Sequence, residues 1–103
     1  MKSPDCYLIL VCHKSLEDRL VDHLLAHPEW VSGFSVSTIE GHSQRENLPS
    51  MLEQVRGRSQ RIEIGTAMNR EDAKALIAHL KSAEPNRDIA YWMMPILEFG
   101  RLA

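Results

Sequence analysis

Arg56, Arg58 and Arg61 stand close together in "QVRGRSQR", and guanidinium forks suit bidentate recognition of a carboxylate or phosphate. Arg58 and Arg101 each adjoin a glycine, where backbone can also approach a bound group. These two lead the candidates for an anion, with Arg56 beside them; the competing account is a solvated loop base. Histidine offers a second chemistry. His23 and His27 are four apart, which on a helix puts two imidazoles on one side for a metal. Against this, a histidine near a helix C-terminus gains from the macrodipole, and two ligands do not make a site. His42 is a further metal candidate, since imidazole suits divalent transition metals.

Other chemistry is thinly represented. No serine sits in a nucleophile elbow, no "HExxH" occurs and no carboxylate pair is placed by a motif, so nothing requires an enzyme. Cys6 and Cys12 fall on one apolar stretch. On an extended strand at roughly 3.3 Å per residue they are about 20 Å apart, beyond disulfide reach. Reduced core thiols suit the cytoplasm, and the N-terminal apolar run lacks the small-residue cleavage site of a leader. No run reaches membrane-spanning length, and a net charge of −2 lacks the basic excess that phosphate-backbone binding demands. The expectation is a cytoplasmic protein that neither spans a membrane nor binds nucleic acid.

The 103 residues make one domain, and their patterning supplies the elements that must position these groups. Asp5 to Cys12 alternates Cys6, Leu8, Leu10 and Cys12 against Tyr7, Ile9 and Val11, a strand whose faces both want burial. Ser15 with Asp18 reads as a capping box for a helix striped by Leu16, Leu20, Val21, Leu24 and Leu25, ended by Pro28. Trp30 to Glu40 reads as a half-buried strand bent at Gly33, and Arg61 to Met68 as its partner with Ile62, Ile64, Thr66 and Met68 inward. Asn69 caps a second helix that buries Ala73, Leu76, Ile77 and Leu80. Ile89 to Ile96 is a fourth strand, apolar on both faces, with Pro95 placing its end at a sheet edge; Tyr91, Trp92, Met93 and Met94 read as core and subunit interface.

The order βαββαβ predicts an α+β, ferredoxin-like fold: a four-stranded antiparallel sheet with two helices on one face. Few elements are left for the second face, so another subunit is its expected cover. One segment is out of proportion. Residues 41–60 join two hairpin strands, where connections of about 2–6 residues are usual and long ones are commonly functional. Ser50 with Glu53, and Leu48, Met51, Leu52 and Val55 on one face, predict a short helix there with an apolar side in need of a partner.

This layout resembles the PII signalling superfamily, in which the long connection between the second and third strands is the target-binding T-loop. "VSGFSVSTIEGHSQ" is similar to the PII stretch entering that loop, including the pair Gly41 and His42, and "RSQRIEI" to the returning strand. Within the superfamily the chain resembles a small PII-like family marked by "LEDRLVDHLLAHP", "VSGF", "EQVRGR" and "PILEFGRL", whose genes often lie beside heavy-metal efflux pumps. The resemblance implies a homotrimer that acts by binding, with ligand sites in subunit clefts. It adds Gly41 to Arg56, Arg58 and Arg101 as ligand-binding candidates, and makes His42, Arg45, Met51 and Leu52 the partner-binding loop. A membrane transporter is one candidate partner. ATP-binding PII proteins carry a glycine-rich, lysine-containing loop before the fourth strand, whose N–H groups cradle phosphates. Here that connection is "SAEPNRD", which argues against ATP binding in the standard PII manner.

Three functions follow. The first is a trimeric regulator that binds a metal ion or anionic metabolite and a partner protein. The second is a metal-binding trimer similar to the divalent-cation-tolerance proteins, with a divalent metal as its one candidate cofactor. The third is a small ferredoxin-like enzyme with a pocket between helices and sheet.

Overall fold

The computed structural model describes residues 2–41 and 59–103. Strand β1, Cys6–His13, leads through a 3₁₀ turn, Lys14–Leu16, into helix α1, Glu17–Leu25. Strands β2, Ser35–Gly41, and β3, Ser59–Met68, precede helix α2, Arg70–Ala83, and the edge strand β4, Ala90–Pro95. The sheet order is β2-β3-β1-β4 with every pair antiparallel, the ferredoxin-like arrangement that the element order implied. Among the described residues no helix is long and apolar enough to cross a membrane.

Alternation along the central strands decides where the core sits. Leu8, Leu10 and Cys12 of β1 and Ile62 and Ile64 of β3 point to the helical face and meet Leu20 and Leu24 of α1 and Leu76 and Leu80 of α2. Complete burial of such side chains is worth about 1.5–3 kcal/mol each, so this layer fixes the helices on one face. Thr66 is the buried polar residue of the layer, and its hydroxyl is satisfied by donating to the Gly33 carbonyl at 2.6 Å. At the start of α2 the Asn69 side chain accepts from Glu71 N–H at 3.0 Å, and Asp5 Oδ1 accepts from Arg70 N–H at 2.7 Å. Two orphan donors of the first turn are thereby paired.

Three local expectations are corrected. Ser15 does not cap α1: His13 Nδ1 accepts its N–H and lies 2.9 Å from its Oγ, which tightens residues 14–16 into a 3₁₀ turn. Leu25 leaves the apolar stripe at 65% exposure, because the helix ends there. Residues 30–34 are not strand. After Pro28 the chain closes a turn in which Trp30 and Val31 N–H both donate to the His27 carbonyl, and Val31 drops into the core. The strand beyond is an edge strand and is largely exposed rather than half-buried.

Candidate functional site

The β2–β3 ribbon keeps its register to the end, pairing Ile39 with Arg61, Glu40 with Gln60 and Gly41 with Ser59. The sheet therefore claims Gly41, Ser59 and Gln60, which the sequence assigned to the connecting segment. Arg61 runs diagonally across Gly41: a β-carbon at residue 41 would lie 2.5 Å from Arg61 Cδ and 2.8 Å from Nε. Such a separation is impossible for a real side chain, so glycine at the strand exit is what lets Arg61 lie along the ribbon. Of the other loop candidates, His42, Arg45, Met51, Leu52, Arg56 and Arg58 lie outside the described residues, as does the expected short helix.

The face of the sheet turned away from the helices carries Tyr7, Ile9 and Val11 of β1, Gly65 of β3, and Trp92 and Met94 of β4, as the registers Ile9↔Gly65, Ile9↔Trp92 and Tyr7↔Met94 require. Ile9 is buried on this face at 6% exposure, while Trp92 and Met94 remain at 44% and 42%. Beyond β4 the chain continues through Leu97, Phe99 and Leu102, all exposed. Arg101 stands in that stretch, exposed, and makes no hydrogen bond or ion pair with a described residue.

The helices bring a different set of residues together. His23 is on α1, but His27 stands just past the cap of that helix, where its Nδ1 pairs with Glu29 Oε2 at 2.8 Å and its ring stacks on Trp30 at 4.6 Å. His79 of α2 completes the group, its ring centroid 4.4 Å from that of His27 and 5.5 Å from that of His23. Sequence reading missed His79, because only helix–helix packing brings residues so distant in the chain together. At the other side of His23, Glu84 accepts two hydrogen bonds from Arg19, at 3.1 and 2.7 Å, and lies 3.4 Å from His23 Nε2. Burial of Glu84 disfavours its charge, but the hydrogen bonds from His23 and Arg19 outweigh that and hold its carboxyl below the usual range. Glu29 is lowered likewise, first by its bond to His27. These imidazoles are committed to rings and carboxylates, and among the described residues no three His, Cys, Asp or Glu side chains are disposed to hold a metal ion.

Cys6 and Cys12 are free and buried. Burial pushes the Cys12 thiol up to about 11 and raises Cys6 as well, so both are protonated core groups at neutral pH. The connection before β4 is an asparagine turn rather than a glycine nest: Asn86 Oδ1 accepts from Asp88 N–H at 2.8 Å and its carbonyl from Ile89 N–H at 3.1 Å.

Comparison with solved structures places this geometry. A DUF3240 family protein of Shewanella baltica OS155 superposes with a TM-score of 0.75 at 26% identity, over 99% of this chain and 100% of that one. CPII of Thiomonas intermedia K12, a nitrogen regulatory PII-like protein bound to ADP, AMP and bicarbonate, gives 0.71 at 16% identity over 97% of each chain. A PII-like signalling protein of Thermus thermophilus gives 0.65 at 18%, over 91% of this chain and 88% of that one. No curated protein matches. The fold is PII-like, and because residues 2–103 match the family described as "Protein of unknown function (DUF3240)", the chain belongs to that family.

Proposed function

We propose that the chain is a non-enzymatic PII-like regulator. It assembles as a homotrimer through the uncovered face of its sheet, binds a small anionic metabolite or metal ion at the subunit clefts, and engages a partner protein through residues 41–60. The observation that carries this reading is the unbroken β2–β3 register out to Gly41 and Ser59. A ribbon paired that far delivers both ends of the intervening segment to one place, and a hairpin needs only about two to five residues to turn. Closing a longer segment costs entropy that folding alone does not recover, so a role in binding maintains it. Arg61 beside Gly41, with Arg56 and Arg58 nearby in sequence, supplies the cations for an anion or an acidic partner.

The test is a chain in which Glu46 to Gly57 is replaced by a short glycine linker. Light scattering at micromolar concentration should give a trimer for both chains, and only the intact one should capture a partner from lysate. A monomeric intact chain would overturn the assembly. Equal capture by both chains would move recognition off the loop.

A further inference from the structure

On the helical side, the sheet edge and the two helices border a half-open cleft of about 220 Å³, with Lys81 and Asn86 exposed at its rim. Its walls are apolar, from Leu10, Leu20, Ile77, Leu80 and Ile89, and Lys81, Asn86 and Tyr91 also line it. The volume is below the roughly 300–1,000 Å³ of drug-sized pockets, so only a small ligand fits. Its polar groups do not neutralise one another. Lys81 Nζ stands 5.4 Å above the Tyr91 ring and pairs with no described carboxylate. Asn86 spends its side-chain oxygen on Asp88 N–H, which leaves the amide N–H pair as donors. Glu84 also borders the cleft, but Arg19 and His23 already engage both its oxygens. The cleft is therefore an apolar slot whose polar side chains without a carboxylate partner are a cation held over an aromatic ring, an amide donor and the Tyr91 hydroxyl, a set complementary to an oxyanion on an apolar body.

We propose that this cleft binds a small organic carboxylate, with its apolar body against Leu20, Ile77 and Ile89 and its carboxylate on Lys81 Nζ and Asn86 Nδ2. Its lining comes from one chain and includes none of residues 41–60, so the proposal does not rest on the subunit-cleft ligand or on that segment. Lys81 gives up its place over Tyr91 for a charge-assisted hydrogen bond, the stronger of the two contacts. The ligand's hydrocarbon displaces water from walls that offer it no partner.

Benzoate is the probe, and benzyl alcohol its neutral counterpart, titrated into the full chain by ¹H–¹⁵N NMR. Benzoate should give saturable shifts at the amides of Leu20, Leu80, Ile89 and Tyr91. Lys81→Met, which keeps the apolar stem, should weaken it about tenfold, and benzyl alcohol should bind wild type about tenfold more weakly than benzoate does. The proposal is overturned if benzoate fails to saturate by about 10 mM, a concentration where even a millimolar site is filled. It is equally overturned if the shifts fall elsewhere, if Lys81→Met binds as wild type does, or if the alcohol binds as well as the acid.

Discussion

The ring of Tyr7 lies across the backbone of Gly65, so that a β-carbon at residue 65 would stand 2.6 Å from Tyr7 Cζ. The two are diagonal neighbours on the uncovered face, since Tyr7 pairs with Ala67 and Gly65 with Ile9. An aromatic side chain laid over a strand glycine restores the packing that the missing side chain forfeits. Gly65→Ala must push the ring aside, and overpacking of this kind costs about 1–3 kcal/mol. Urea denaturation should show that loss. In the double variant with Tyr7→Ala the clash has no partner, so the two changes should couple by about 1 kcal/mol; simple additivity would mean the ring moves freely.

Gly41→Ala should behave differently, although its β-carbon meets Arg61 as closely. The atoms it meets are the outer part of a flexible side chain, and alanine reduces the entropy of the unfolded chain. Stability should change by no more than about 0.5 kcal/mol. The Arg61 guanidinium should swing off the ribbon, visible as a shift of its Nε–Hε resonance, and any anion held there should bind more weakly.

What could be read from the chain divides along one line. Periods of two and 3.6 and the Asn69 cap are local properties, and they were enough to identify the four strands, the stripe of α2 and the helical face of the core. Ser15 shows where a local rule loses: a histidine two residues earlier competes for the same N–H, and a 3₁₀ turn replaces the cap. Arg61 over Gly41, Tyr7 over Gly65 and His79 between His23 and His27 depend on register and helix packing. Spacing along one chain carries no trace of them, which is why His23 and His27 read as a pair while the third ring went unseen.

The Arg19–Glu84–His23 group gives a pH dependence with a definite sign. The folded-state carboxyl of Glu84 is lowered from its ordinary 4.5, so its contribution to stability is complete above about that pH and is lost as pH falls through the folded value. Glu29 acts in the same direction. Glu84→Gln should lower the melting temperature at pH 7 and flatten the acid limb of a plot of melting temperature against pH, leaving the part due to Glu29. An acid limb identical to that of wild type would show that the ion pair carries no net stability.

Cys12 predicts the opposite limb. Its thiol is raised from 9.0 to about 11 by burial, and a raised group contributes stability that is complete below the unfolded value and disappears as pH climbs through the folded one. Wild type should therefore lose about 2–3 kcal/mol between roughly pH 9 and 11 on account of this thiol. Cys12→Ala should start less stable, because the sulfur leaves a gap against its core neighbours, but should lack that alkaline slope. Chemical denaturation at pH 8, 9, 10 and 11 separates the two effects, since the gap lowers every point equally and the thiol bends only the alkaline ones. The same burial makes alkylation a reporter of unfolding: with iodoacetamide at pH 8, intact mass should show Cys6 and Cys12 unmodified in the folded chain and both modified in urea. Rapid modification of the native chain would mean that β1 opens on its own, and with it the face on which Tyr7 and Ile9 stand.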